Sequence, residues 1–370
     1  MQAPGLEGSR VLDFLLKRGW LDRSVAVDGD VQVVAGDGRH RHFRVERPSG
    51  ESGLFVKQVK SRDPLTVACL EREAACCRLA ATEPGFAALR GHVPALKGYD
   101  PYHHVLCVEL FQGAPTFTAF HGASGSLPAD LAAQVGTVLG DWHRDLRLKT
   151  GDARFGGLFP ARLPWILDLQ SSPLQTTHPQ GPGALFVANT LRSDAALRGA
   201  FSELARSYTP SCLIHGDLKW DNLLVVQGED GPSVRFVDWE IADIGDPLWD
   251  VAGVMQSYLL AWLLSMPLGS SLPGAQMEAR ARYPLASVQK ALQAFWRAYA
   301  DARALQDEPA ELLRALRFTA GRLAQTTYES GVTYKAAIPQ LRFMLELCRN
   351  TLLKTENAVH DLLGMPWPTQ

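Results

Sequence analysis

The 370-residue chain has no surplus of charge, no paired-cysteine motif, no apolar run of bilayer length, no complete glycine-rich phosphate loop and no internal repeat. Each absence excludes something. With 37 Lys plus Arg against 39 Asp plus Glu and a sequence pI near 6.6, no global field draws the chain to nucleic acid or to an anionic membrane, and neither is expected as a partner. The six cysteines (Cys69, Cys76, Cys77, Cys107, Cys212, Cys348) form no C-x-x-C pair and lie mostly inside apolar runs, as reduced core residues of a cytoplasmic protein do. The longest uncharged apolar segment, Val251 to Met266, falls short of the ~20 residues that span a bilayer and is interrupted by Gln256 and Ser257. A buried helix is expected there. Met1-Gln-Ala-Pro-Gly5 leads to Glu7 and Arg10 without an apolar run, so neither a signal peptide nor secretion is expected.

What the chain does have is core: 46% hydrophobic residues fill two domains or one two-lobed unit without staples. Val11 to Trp20 reads as a short amphipathic helix. Val25 to Val27, Val31 to Val34, Phe43 to Val45 and Leu54 to Val56 read as strands of an antiparallel meander, separated by Asp28-Gly29, Gly36-Asp-Gly38 and Pro48-Ser-Gly50. The Gly36 turn, followed by Arg39-His-Arg-His42, has the makings of a phosphate-facing loop, although a hairpin turn reads the same way. Lys57 ends the last of these strands. Pro64 opens a helix to about Ala80 with Val67, Leu70, Ala74 and Cys77 on one face, and Glu73 lies on or beside that face, where an acid wants a cation; Lys57 is the upstream candidate. Val105 to Phe111 is a buried strand that breaks at Gln112-Gly113-Ala114. Leu127 to His143 is a core helix on which His143 is a structural cap. From Leu146 to Ala184 the pattern dissolves into Gly, Pro, Ser and Gln, as an insertion or lid does. Helical pattern resumes from about Leu185 to Ser207.

The chain is organised around Leu213-Ile-His-Gly-Asp-Leu-Lys-Trp-Asp-Asn-Leu-Leu-Val225, two apolar strands with a polar crossing between them. Burying His215, Asp217, Lys219, Asp221 and Asn222 without partners or a task is costly. The return strand Val234-Arg-Phe-Val-Asp238 ends on an acid. Asp217, Asn222 and Asp238 thus come to adjacent strand ends. Mg²⁺ takes one or two hard oxygen ligands from protein and the rest from phosphate and water, and Asn222 and Asp238 can supply the protein's share. Asp217 is then free to accept a proton from an attacking hydroxyl. Lys57, clamped by Glu73, can hold nucleotide phosphates, and Lys219 can neutralise charge on a transferred phosphoryl group.

His215-Gly-Asp-Leu-Lys-Trp-Asp-Asn222 resembles the H-G-D-x-x-x-x-N motif of the aminoglycoside phosphotransferase and choline kinase family, relatives of protein kinases. Asp238-Trp239-Glu240 resembles its metal-binding segment, and Gly245-Asp-Pro-Leu-Trp-Asp250 its structural G-D-P-x-x-D. The resemblance covers roughly Val25 to Val254, and the weak glycine loop departs from the kinase pattern. It implies an α+β, bilobal protein-kinase-like fold: a small antiparallel-sheet N-lobe over residues 1–112 and a large, mostly helical C-lobe over 113–370, with 145–184 as insertion or lid. It further implies ATP and Mg²⁺ as cofactors, a hinge at Glu109 to Phe111 that contacts the nucleotide, Asp217 and Lys219 as catalytic residues, and Asn222 and Asp238 as metal ligands.

Residues 241–370 carry 12 acidic and 12 basic side chains, so no acidic lure for a polycationic acceptor is evident. Ile214 to Asn222 and Val237 to Val251, with Arg322 to Glu329 and Leu362-Leu-Gly364, resemble the stand-alone kinases of class V lanthipeptide and thioamitide biosynthesis. That subgroup phosphorylates Ser or Thr of a precursor peptide, and a HopA1-type lyase then removes the phosphate. The expected function is therefore a kinase acting on a precursor-peptide hydroxyl, with a small-molecule kinase of aminoglycosides, choline-like alcohols or sugars as the alternative and a non-catalytic scaffold as the third. Chemistry does not require Trp220, which is expected to mark the subgroup and a substrate surface.

Overall fold

The computed structural model describes residues 5–27, 31–47, 52–146, 157–169, 181–229, 231–268, 272–333 and 338–367. Two compact units divide the chain: Met1–Thr116, Ala153–Phe159 and Asn222–Ala242 form the first, and Phe117–Asp152, Pro160–Asp221 and Asp243–Gln370 the second.

In the first unit, α1 (Gly8–Arg18) and α2 (Arg23–Val27) precede the strands β1 (Gln32–Asp37), β2 (His40–Glu46) and β3 (Gly53–Val59). Then come α3 (Pro64–Thr82), β4 (Leu96–Asp100) and β5 (Val105–Leu110). The five strands form one antiparallel sheet in the order β1-β2-β3-β5-β4. Side chains alternate across a strand, so central β3 serves both faces. Leu54 and Val56 join Val11, Leu15, Phe43, Val45 and Val105 on the α1 side, whereas Phe55 and Val59 pack with Leu70, Ala74 and Cys77 of α3. Lys57 shares the parity of Phe55 and Val59. α3 starts where its sequence dictates, with Pro64 in its first turn and Asp63 accepting a hydrogen bond from the Thr66 amide at 2.9 Å. Two further strands close this unit, β7 (Leu223–Gly228) and β8 (Gly231–Phe236), paired as an antiparallel hairpin with Leu223 opposite Phe236.

The second unit is helical apart from one short antiparallel pair, β6 (Cys212–Ile214) with β9 (Asp243–Gly245). Its helices are α4 (Phe117–Ser124), α5 (Ala129–Asp145), α6 (Pro182–Ser193), α7 (Ala195–Ser207), α8 (Pro247–Leu264), α9 (Gly274–Glu278), α10 (Leu285–Arg303), α11 (Glu308–Thr333), α12 (Ile338–Leu353) and α13 (Thr355–Asp361). α8 is the expected buried helix. Asp246 caps it by accepting from the Leu248 amide at 3.0 Å, and most of its side chains are buried. Gly136 and Gly140 let α5 approach α10 closely, because a Cβ at Gly136 would sit 2.3 Å from the Phe295 carbonyl oxygen. Among the described residues no helix is long and apolar enough to cross a membrane.

The antiparallel sheet beside a mostly helical remainder bears out the expected α+β class. Local elements differ in several places. β3 runs on to Val59, so Lys57 lies inside it, and α5 runs to Asp145, past His143. Val25 to Val27 are helical rather than extended: Asp22 accepts from both the amide and the hydroxyl of Ser24 at 2.9 Å, and this local turn overrides the β preference of valine. The stretch from Leu185 to Ser207 is two helices, because Asp194 accepts from the amides of Ala196 and Leu197 at 2.9 and 3.1 Å and caps α7. β8 stops at Phe236, two residues before Asp238. Of the expected lid, 147–156 and 170–180 lie outside the described residues; between them Ile166 and Leu167 are buried in a short 3₁₀ turn.

Candidate functional site

In the first unit the parity of β3 aims Lys57 at α3, and the helical spacing from Leu70 places Glu73 on the buried stripe to meet it. The Lys57 ammonium donates to both Glu73 oxygens, at 2.9 and 2.8 Å, and to Asp238 Oδ1 at 2.6 Å. Burial alone would lower the lysine's pKa, but the Glu73 and Asp238 carboxylates outweigh it and hold it above the ordinary lysine value. Asp238 is presented by a strained turn. Its φ of 68° is rare for a residue with a Cβ, and the turn is secured by the Trp239 indole donating to the Phe236 carbonyl at 3.1 Å and the Ala242 amide to the Trp239 carbonyl at 3.1 Å. Asn222, buried, lies on the neighbouring strand end, and its carbonyl accepts from the Val237 amide at 3.0 Å. Two oxygen-bearing side chains, Asn222 and Asp238, thus flank one end of the β7–β8 hairpin. The Gly36 turn is tied to the same segment: Arg39 Nη1 and His40 Nε2 reach the two Glu240 oxygens at 2.7 and 3.0 Å. Gly36 and Asp37 belong to β1, so the reversal falls at Gly38-Arg39.

Glu109 and Phe111 do not join this cluster. Glu109 accepts from the Ser52 hydroxyl at 3.4 Å and from the Ala95 amide at 3.3 Å, while Phe111, just past β5, lies 5.6 Å beneath the Arg235 guanidinium. The chain then turns at Gly113, whose φ is 72°.

In the second unit the polar crossing follows β6. Gly216 supplies the sharp turn with φ 82°. Buried Asp250, in the first turn of α8, accepts from the His215 and Gly216 amides at 2.6 and 2.9 Å, and the Trp249 indole donates to the Gly216 carbonyl at 3.2 Å. His215 is itself fully buried, as a brace would be. Gly253, one turn along α8, has no side chain where a Cβ would stand 2.0 Å from the Leu218 carbonyl oxygen. The loop so braced presents Asp217, whose Oδ2 accepts from the Lys219 ammonium at 2.7 Å and whose Oδ1 accepts from Arg322 Nη2 at 3.2 Å. Burial pushes the Asp217 carboxyl up, but Arg322 and then Lys219 outweigh it, and its pKa lies below the usual aspartate value. It is a carboxylate at neutral pH.

Trp220 is not a substrate surface. It is 7% exposed and packs against His121 and Tyr258, with ring centroids 4.5 and 4.9 Å away. The short 3₁₀ turn Trp220–Asn222 turns it inward. Arg322 is the residue that motif reading passes over as a site member, because it lies 105 positions from Asp217 on α11.

A family model described as "Phosphotransferase enzyme family" matches residues 30–285. The chain belongs to this phosphotransferase family. Several solved structures share its kinase-like fold. A choline/ethanolamine kinase family protein from Mesorhizobium loti is 18% identical, with 94% of each chain covered and a TM-score of 0.50. An ethanolamine kinase from Plasmodium vivax is 13% identical over 94% of this chain and 89% of that one, TM-score 0.55. A choline kinase from Cryptosporidium parvum Iowa II is 14% identical over 95% and 96%, TM-score 0.55. At these identities the likeness is one of fold. No curated protein matches the sequence significantly. The phosphotransferase is thus an enzyme whose fold and family agree.

Proposed function

We propose that this phosphotransferase moves the γ-phosphoryl group of ATP, with Mg²⁺, to the hydroxyl of a small molecule. The observation that carries the reading is the Lys57 ammonium, held between Glu73 and Asp238. A buried lysine fixed at this position is the part that a kinase-like fold uses to grip nucleotide phosphates. The residues suit magnesium. Among the described residues no cluster of three or more His, Cys, Asp or Glu side chains could hold a metal by itself, and Asn222 and Asp238 offer the one or two hard oxygens that Mg²⁺ takes when phosphate and water supply the rest. When bound, the ion would neutralise charge on the phosphates.

In the reaction the bond between the γ-phosphorus and the ADP oxygen breaks, a bond from phosphorus to the acceptor oxygen forms, and the hydroxyl proton passes to Asp217. A carboxylate with a depressed pKa is a weak base. Asp217 therefore orients the hydroxyl first and takes its proton late, which suits a loose phosphoryl transition state. Lys219, with its amine half-exposed, is positioned to leave Asp217 for the incoming phosphoryl oxygens. Transfer in Asp217→Asn and magnesium-dependent nucleotide binding in Asp238→Ala test the mechanism; full activity in both would sink it.

Choline and ethanolamine, the acceptors named for the solved structures above, head the panel to screen. The balance of 12 acids and 12 bases over residues 241–370 favours such small alcohols over polycationic aminoglycosides. A second reading, phosphorylation of Ser or Thr in a cytoplasmic precursor peptide followed by a HopA1-type lyase, rests on the segments 214–222, 237–251, 322–329 and 362–364. It requires a precursor peptide and such a lyase among the neighbouring genes. Turnover with a free small alcohol, in the absence of any peptide, decides for the first.

A further inference from the structure

We infer that Arg322 is a positioning residue of the transfer reaction: from α11 it fixes the Asp217 carboxylate and the loop carbonyls on either side of it where the acceptor hydroxyl meets Asp217. This rests on the reading of Asp217 as the group that receives the hydroxyl. The guanidinium grips three consecutive loop residues. Nη1 points to the Gly216 carbonyl oxygen at 3.4 Å, and Nη2 to Asp217 Oδ1 at 3.2 Å and to the Leu218 carbonyl oxygen at 3.4 Å. Only a planar, multi-donor head can serve three acceptors so arranged, which a lysine ammonium cannot do with the same fixity.

Arg322 is also held from behind. Its guanidinium carbon lies 5.3 Å from the centre of the Trp249 ring, and Nη1 lies 3.4 Å from Gln325 Oε1, whose amide nitrogen in turn donates to Glu329 at 2.9 Å. At 2% exposure it stands in a stretch of α11 that otherwise buries Ala320, Leu323 and Ala324. A guanidinium in such a stripe is unfavourable unless it is paired. The two cations on Asp217 therefore differ in kind. Lys219 is half-exposed on a flexible stem and able to follow the phosphoryl group, whereas Arg322 is locked and stays with the carboxylate when Lys219 leaves.

The test is a double-mutant cycle. The readout is single-turnover conversion of Mg·ATP to ADP, using choline or ethanolamine if the wild type accepts either, and water otherwise. Arg322→Gln is expected to lower the rate about 10- to 100-fold with the KM for ATP nearly unchanged, and Arg322→Lys to recover part of the loss. In an Asp217→Asn background the same Arg322→Gln change is expected to cost less than about 3-fold, because Arg322 acts through Asp217. If Arg322→Gln does not fold, Gln325→Leu replaces it; losing the Nη1 acceptor is expected to slow transfer a few-fold in the wild type and not in Asp217→Asn. A wild-type rate in the single variant, or equal losses in both backgrounds, overturns the role of Arg322. A fully active Asp217→Asn instead strikes the reading of Asp217 itself.

Discussion

The two units hold charge clusters of opposite construction. In the first a cation sits between two carboxylates, Lys57 between Glu73 and Asp238; in the second a carboxylate sits between two cations, Asp217 between Lys219 and Arg322. One triad carries a net negative charge and the other a net positive charge. The most exposed members follow the same inversion: side-chain exposure is 39% for Asp238 against 11% and 4% for Lys57 and Glu73, and 41% for Lys219 against 24% and 3% for Asp217 and Arg322. The first triad thus offers solvent an anion, which suits a divalent cation. The second offers an ammonium, which suits a phosphoryl group. In each triad the two less exposed charges hold the geometry, and under the proposed reaction the most exposed one is the member that would meet the ligand.

Breaking the second triad at its centre should have the largest effect. Asp217→Asn is expected to lower transfer about 10³-fold, within the range for loss of a positioned acid–base group, while nucleotide affinity measured by titration stays near wild type. Removing the centre of the first triad should act on stability as well. Lys57→Met leaves Glu73 buried without its cation, for a loss of about 3–5 kcal/mol in denaturant unfolding, together with weakened nucleotide binding. A Lys57→Met protein as stable as the wild type would show that the Glu73 contact contributes little.

The exposed member should separate the two effects. Lys219→Ala is expected to slow transfer by about 10- to 100-fold and to change stability by less than about 1 kcal/mol, since a half-exposed pair contributes little to folding. The smallest effect concerns Asp243, which has one cation, Arg162 at 3.3 Å, where Asp217 has two. Burial pushes its carboxyl up to about 6, the opposite direction to Asp217. An acid whose folded pKa is raised loses stability as pH rises from its unfolded value of about 4 through 6. Asp243→Asn should therefore raise the melting temperature above pH 6 and leave it unchanged near pH 4. Asp217 has the reverse sign: its stabilising contribution is complete above its unfolded pKa and is lost only as pH falls through its depressed folded value.

Local pattern makes half of the first triad readable. The period of β3 and the spacing of α3 bring Lys57 and Glu73 to one interface, and the β7–β8 hairpin brings Asn222 and Asp238 to one end, each within a short stretch of chain, but the Lys57–Asp238 contact joins those stretches across 181 positions and has no local signal. The turn at Asp238 was not readable as such, because its left-handed φ comes from the packing of Trp239 rather than from a glycine. The second triad was readable only in part. Asp217 and Lys219 stand two residues apart, but Arg322 reaches them from a helix whose apolar periodicity gives no reason to single out one arginine. The burial of Trp220 is unreadable for the same reason. A large aromatic in a polar loop is buried or exposed according to what lies behind it, and here that is His121 and Tyr258, distant in sequence.

The height at which the Asp217 loop rests on α8 is set by a missing side chain. Because the Leu218 carbonyl occupies the space that a Cβ at Gly253 would fill, the helix offers a notch and the loop is seated in it. A single methyl, as in Gly253→Ala, has no neighbouring flexible tip to push aside; it must lift backbone, and with it the Asp217 carboxylate that Lys219 and Arg322 grip. The Asp217 loop is therefore indexed against its scaffold by a hole, so that a substitution at Gly253 would shift the Asp217 carboxylate without replacing any member of its triad.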